Sequence, residues 1–153
     1  MHIAGCQKYI IDPFGQIENK SKLKTSLLKK FSVKTKYVKQ ENGTFPVLIL
    51  SKGLNKLVLY FDQEPDASAS SYVFEGEIND SSVAFANDIR IGMSAGKFYR
   101  QFFSVFPLEL ERKYKVVVLD YCVDGIRHVY DIKNGRITTV KFSDPGSFWK
   151  INY

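Results

Sequence analysis

Three short turn sequences divide the chain into strand-like segments, and they constrain its fold more than any other feature. These sequences are Asn42-Gly43, Asp124-Gly125 and Asn134-Gly135. Both central residues of a type I′ hairpin turn need positive φ, which Asn, Asp and Gly tolerate best. The flanking segments are rich in Val, Ile and Tyr. The pattern therefore predicts antiparallel hairpins.

The β-branched and aromatic runs between turn signals predict nine strands. In the first part of the chain these are Cys6–Asp12, Val33–Val38, Phe45–Leu50 and Lys56–Phe61. In the second part they are Tyr72–Ile78, Ser82–Ala86, Tyr114–Val123, Ile126–Ile132 and Ile137–Phe142.

Apolar residues four positions apart predict one helix in each part. Leu23, Leu27 and Phe31 predict an amphipathic helix over residues 19–31, with Asn19 or Ser21 as its N-cap.

The second predicted helix follows a glycine and a serine. Gly92 permits a backbone turn, and Ser94 can accept a bond from a first-turn N–H group. Phe98 and Phe102 continue the four-residue spacing. Pro107 is expected to help end this short helix.

The order of these signals predicts an α+β fold, in which helices pack on one face of an antiparallel sheet. Residues 6–62 and 72–142 each contain a strand, a helix and a three-stranded meander, which suggests two divergent repeats. Residues 63–71 are the expected linker, and residues 143–153 are an aromatic tail expected to dock on the body. We expect residues 1–153 to form a single compact unit.

The second helix entry resembles a known family motif. Ile89, Gly92, Met93 and Ser94, followed by the Phe98–Phe103 helix and Pro107, are similar to the start of the helical part of the SmpA/OmlA outer-membrane assembly lipoproteins. The β-lactamase inhibitor protein family has a similar repeat. The resemblance implies helices on an antiparallel sheet and a protein that binds other proteins without catalysis. The glycine that often precedes the proline is missing here, and the first half has no Gly-Met-Ser.

Residues suited to catalysis are scarce in this sequence. His128 is placed on the same strand face as Tyr130, whereas Cys122 is placed opposite Arg127 and should point away from His128. We therefore assign no catalytic residue, no cofactor site and no metal site. Cys6 and Cys122 are either a disulfide or two half-buried apolar side chains, with the second interpretation favoured.

Positive charge is concentrated in the first part of the chain. Residues 1–63 contain 11 Lys and four acids, whereas residues 64–153 contain 11 Lys or Arg and 12 acids. Arg first appears at Arg90. Proteins that read nucleic acids usually use Arg forks, so a nucleic-acid partner is not expected. An anionic partner surface of another kind stays open.

The sequence gives little information on location. Ile3-Ala-Gly-Cys6 resembles the end of a bacterial lipoprotein signal, but only Met1 and His2 precede it. We favour a chance match, which would leave a cytoplasmic protein. A truncated signal would instead indicate a periplasmic or outer-membrane lipoprotein. No apolar run approaches the length of a transmembrane segment.

These features favour a noncatalytic protein-binding module, with another protein as its partner. The expected partner surface is aromatic and comprises Tyr114, Tyr121, Tyr130 and Trp149. The alternative is a binder of a small ligand or a small enzyme, with a pocket between sheet and helices lined by His128, Tyr130 or Cys122.

Overall fold

Strands dominate the structure. The computed structural model describes residues 1–40, 43–61, 71–122 and 125–144. The strands are β1 (His2–Gly5), β2 (Ser32–Gln40), β3 (Gly43–Lys52), β4 (Asn55–Phe61), β5 (Ser71–Ile78), β6 (Val116–Tyr121), β7 (Arg127–Lys133) and β8 (Arg136–Ser143). They form one eight-stranded sheet in the order β1-β6-β7-β8-β5-β4-β3-β2.

The helices are short. They are α1 (Lys8–Ile11), a 3₁₀ helix (Lys20–Thr25), α2 (Ala95–Tyr99) and α3 (Leu108–Lys113). Each is at most six residues long. Most of the core opposite the sheet is therefore contributed by turns and loops.

The predicted α+β class, with helices on one face of an antiparallel sheet, is wrong. Strands account for 45% and helices for 16% of the structure, and the sheet is mixed. The parallel component arises because β1 lies beside β6. Val118 N–H donates to Met1 O, and Cys122 N–H donates to Gly5 O, each over 3.0 Å or less.

Two predicted strands are absent from the described residues. Cys6–Asp12 instead includes the single turn α1, in which Tyr9 and Ile10 are buried. Ser82–Ala86 forms turns, because Asp80 accepts bonds from the backbone and hydroxyl of Ser82 and bends the chain.

The first predicted helix is only partly formed. Asn19 is its N-cap, as predicted, and accepts bonds from the N–H groups of Ser21 and Lys22. The α-helix expected to continue to residue 31 is wrong. Ser26 donates to Leu23 O over 2.9 Å and accepts from Leu28 N over 3.1 Å. Such local serine bonds compete with helical bonds and end the helix.

The second helix entry has the predicted cap. Ser94 accepts a bond from Lys97 N, and Gly92 has a φ of 89°. However, α2 ends at Tyr99, and Pro107 begins α3 at its N-cap position. Pro suits a helix start because it has no N–H group to leave unpaired.

The turn between β7 and β8 lies where it was predicted, but the register between β6 and β7 differs from the predicted one. Asn134 and Gly135 have φ values of 51° and 69°, which confirms the predicted turn between β7 and β8. Asn42 and Asp124 lie outside the described residues. The predicted pairing of Cys122 with Arg127 is wrong, since Arg127 pairs with Asp120.

The sheet has two different faces. The core face carries the apolar cluster, and we call the opposite side the open face. The core-face residues of the strands include Leu48, Leu50, Leu57, Leu59, Val117, Leu119, His128, Tyr130, Ile132, Val140 and Phe142. On the open face, Val47 and Val58 form a small second cluster with Val38, Tyr60 and Phe74. The repeats and their boundaries stay predictions.

Candidate functional site

The histidine singled out in the sequence lies inside the core. His128 is fully buried, and its Nε2 lies 2.8 Å from Ile10 O. A carbonyl can only accept, so Nε2 carries the proton. Nδ1 therefore accepts a bond from the Tyr130 hydroxyl over 3.1 Å, and Tyr130 in turn contacts the Tyr9 hydroxyl. The three side chains form a chain of bonds that satisfies both ring nitrogens.

Burial keeps this cluster uncharged. It lowers the pKa of His128 to about 3 and raises the pKa values of Tyr9 and Tyr130. Aromatic contacts close around the imidazole, since the Tyr9 and Phe142 ring centroids lie 5.4 Å and 4.9 Å away. The burial, the two hydrogen bonds and the ring contacts of this imidazole support a packing role.

A disulfide joins the two cysteines. Cys6 follows β1 and Cys122 follows β6, with 5.0 Å between their Cα atoms. The favoured sequence interpretation, two half-buried thiols, is therefore wrong. Spacing could not show the pairing, because 116 positions separate the two residues. A sulfur in a disulfide also leaves no thiol at Cys6 for a lipid.

One recess lies beside the predicted first strand. Residues 11–15 and Ile17 line it together with Leu59 and Val73, and it has room for about one water molecule. Burial raises the pKa of Asp12 at its rim. The expected ligand pocket lined by His128, Tyr130 or Cys122 would need far more space than this.

The open face carries a group of paired charges near one edge. Arg127 Nε and Nη2 donate to the two carboxylate oxygens of Asp120 over 2.7 Å and 3.0 Å. His2 Nε2 lies 2.6 Å from the same carboxylate. The bonds from Arg127 lower the pKa of Asp120. A bidentate pair of this kind holds the Arg127 side chain in one geometry.

Three valines lie beside these charges on the open face. Val118 of β6 is directly opposite Val129 of β7, and Val116 is opposite Asp131. Val116 is 41% exposed, and the other two valines are half-buried. On β8, Lys141 lies opposite Val129, and its Nζ is 3.6 Å from the Asp131 carboxylate. We call the three valines, together with their charged neighbours, the valine patch. The charged neighbours are His2, Asp120, Arg127, Asp131 and Lys141.

Three of the four residues predicted for a partner surface lie in the described part of the chain, and they do not form one exposed surface. Tyr130 is fully buried, which rules out its side chain as a surface contact. Tyr121 is half-buried and packs against the core cluster, on the core face. Tyr114 is half-buried beyond the end of α3, where Lys113 Nζ lies 5.8 Å from its ring centroid. Trp149 lies outside the described residues.

The hydroxyl of Tyr99 is buried without a partner among the described residues. Its ring stacks on Phe106 with centroids 4.1 Å apart, and burial raises its pKa to about 12. Tyr99 lies within the predicted Phe98–Phe103 helix, but apolar spacing does not reveal an unbonded hydroxyl there.

The valine patch was not predicted, because the expected partner surface was aromatic. The signal is present in the two strand sequences, where Val116, Val118 and Asp120 alternate with buried residues, as do Arg127, Val129 and Asp131. Alternation places each set on one face. Bringing the sets together also required the correct register between β6 and β7.

The described residues contain no group of three His, Cys, Asp or Glu side chains arranged to hold a metal ion. Within the same parts of the chain, no helix has the length and apolar character needed to cross a membrane. No protein-family model, curated protein or solved structure matches this chain, so the resemblance to the SmpA/OmlA and β-lactamase inhibitor protein families stays a prediction.

Proposed function

We propose that this chain is a noncatalytic protein-binding module that contacts its partner through the valine patch. The supporting observation is an apolar centre of three valines surrounded by ion-paired side chains on the open face. Protein interfaces commonly combine an apolar centre with a polar rim.

The charged side chains around the three valines are already held in place before a partner binds. Arg127 is fixed by two bonds to Asp120, and Arg is a frequent anchor at interfaces. Ordering a long side chain on binding costs about 0.5–1.5 kcal/mol, and a side chain that is held beforehand avoids much of that cost.

The buried histidine cluster also supports a binding role. His128 and Tyr130, the groups most suited to proton transfer, are enclosed and bonded to each other. The open face of the sheet instead offers polar and apolar side chains to a partner.

The disulfide supports a location in an oxidising compartment. Disulfides persist in secreted and periplasmic proteins and are rare in a reducing cytosol. We therefore propose the bacterial cell envelope as the location, in keeping with the resemblance noted in the sequence.

The test is a comparative capture from extracts of the native cell. Wild-type protein and the Val118→Thr/Val129→Thr variant are immobilised and exposed separately to soluble and membrane extracts. Thr keeps the shape and strand preference of Val but weakens apolar contact. A partner of the valine patch should be retained about tenfold less by the variant, as expected for a loss near 1.4 kcal/mol.

Val105→Thr is the matched control, because Val105 is 83% exposed and lies in the loop between α2 and α3. It should retain the partner as the wild type does. A protein held equally by all three forms would place the contact elsewhere. If no extract yields a specific protein, the binding-module proposal fails and a small ligand becomes the better hypothesis.

A further inference from the structure

A lysine-rich segment includes β2, the sheet edge farthest in strand order from the valine patch. Residues 19–40 contain eight Lys and no Asp or Glu. Every lysine in the segment except Lys36 is exposed, and none of the exposed ones pairs with a described carboxylate. The segment therefore produces a positive potential that is not neutralised by described neighbours.

The same segment contains the long edge of the sheet. β2 has nine residues and, among the described strands, pairs only with β3. In an antiparallel pair, alternate residues direct their N–H and C=O groups away from the neighbour, so β2 presents a row of backbone groups outward. The other edge strand, β1, has only four residues.

The two faces of this edge differ in chemistry. Lys34 lies opposite Ile49, which places it on the open face. Val33 lies opposite the buried Leu50, which places it and Tyr37 on the core face. Val33 is 40% and Tyr37 70% exposed. A strand added at this edge would have one set of side chains beside Lys34 and the other set beside Val33 and Tyr37.

These features select the kind of partner. A second copy of the chain would place lysines against lysines, which is destabilising for directly opposed strand residues. A nucleic acid or a lipid surface would use the charge but not the outward row of backbone groups. An acidic extended polypeptide uses both.

We infer that β2 binds an extended acidic segment of a partner protein as an additional strand. The segment alternates acidic residues, which lie beside Lys34, with apolar residues, which lie beside Val33 and Tyr37. The inference rests on the proposed function in one respect, namely that the partner is a protein. It adds a second contact surface and the sequence character of what occupies it.

The test uses fluorescent eight-residue peptides of alternating Glu and Val, with binding followed by fluorescence anisotropy at low and moderate salt. Two further peptides carry backbone N-methyl groups on all Val residues or on all Glu residues. Successive N–H groups of a strand point to opposite edges, so each methylated peptide is blocked along one edge only. One of them should bind at least about tenfold more weakly than the parent, and the other should bind like it.

A charge-reversal pair tests the location. Lys34→Glu changes an exposed open-face residue of β2, and Lys133→Glu makes the same charge change at an exposed residue away from it. The first variant should weaken peptide binding about tenfold, and the control by less than about twofold. Melting curves should show both variants folded.

Several results would overturn the inference. These are equal binding of both methylated peptides, equal weakening by the two charge-reversal variants, or no peptide binding at all. Tighter binding of an oligonucleotide or of anionic vesicles, with the same dependence on Lys34, would assign the edge to that class instead. The Val118→Thr/Val129→Thr variant leaves β2 intact, so it should bind the peptide normally, and the two proposals can fail separately.

Discussion

Acid should destabilise this fold through His128. Burial lowers the pKa of His128 to about 3 in the folded chain, whereas its ordinary value is 6.5. Below pH 6.5 the unfolded chain therefore binds a proton that the folded chain excludes. Stability is fully present above the unfolded pKa and is lost as the pH falls toward the folded pKa.

The size of the effect follows from the two pKa values. Each pH unit inside the window changes the free energy of unfolding by about 1.4 kcal/mol. Between about pH 7 and about pH 4.5, His128 alone should remove roughly 2.5 kcal/mol. Neither Tyr9 nor Tyr130 adds to this change, because burial raises their pKa values above the ordinary 10.0.

The measurement compares urea unfolding of the wild type and of His128→Gln at a series of pH values. Gln can donate to Ile10 O and accept from Tyr130, but it does not titrate. We expect the variant to be less stable near pH 7 by about 1–3 kcal/mol, since its bonds fit less well. The difference should shrink by roughly 2.5 kcal/mol by about pH 4.5.

The other ionisable groups are present in both proteins, so their contributions cancel in the difference. If the two stability curves stay parallel over this range, His128 is not buried in its neutral form and the reasoning fails.

Two further predictions concern the disulfide and two buried hydroxyls. Replacing Cys6 and Cys122 by Ser should lower the free energy of unfolding by about 4–5 kcal/mol, because the closed loop spans 116 positions. Urea unfolding checks this, and a loss below about 1 kcal/mol would contradict it. Tyr99→Phe should stabilise the fold by about 1 kcal/mol, since the removed hydroxyl has no described partner. Tyr130→Phe should destabilise it by about 1–3 kcal/mol, because Tyr9 and His128 lose their shared partner. Equal effects of the two Phe substitutions in thermal melts would contradict the assigned bonds.

The meanders could be predicted because their signals are local. A turn such as Asn134-Gly135 and the alternation of β7 act over a few residues and need no knowledge of distant partners. The same locality explains the correct caps at Asn19 and Ser94. Helix length was overestimated because the side-chain bonds of Ser26 compete with the helix at a point that apolar spacing does not reveal.

Features that depend on distant pairs were missed. β1 has no strand pattern of its own and exists because it lies beside β6, more than 100 residues later. The Cys6–Cys122 bond depends on the same pairing. The expected place of Tyr130 on a partner surface was wrong for a related reason. The expectation that His128 and Tyr130 share a face is confirmed by their common burial, but that face proved to be the core face.

The position of β1 has a consequence for synthesis. Its partner strand begins at Val116, so β1 has no place in the sheet until β6 has left the ribosome. At roughly 5–20 residues per second, that delay lasts about 6–23 s. The β2–β3–β4 meander can pair during this interval, whereas Cys6 must stay reduced and available for Cys122. Oxidation then joins the segment after β1 to the segment after β6, and a nascent chain stalled before Cys122 should contain a free thiol at Cys6.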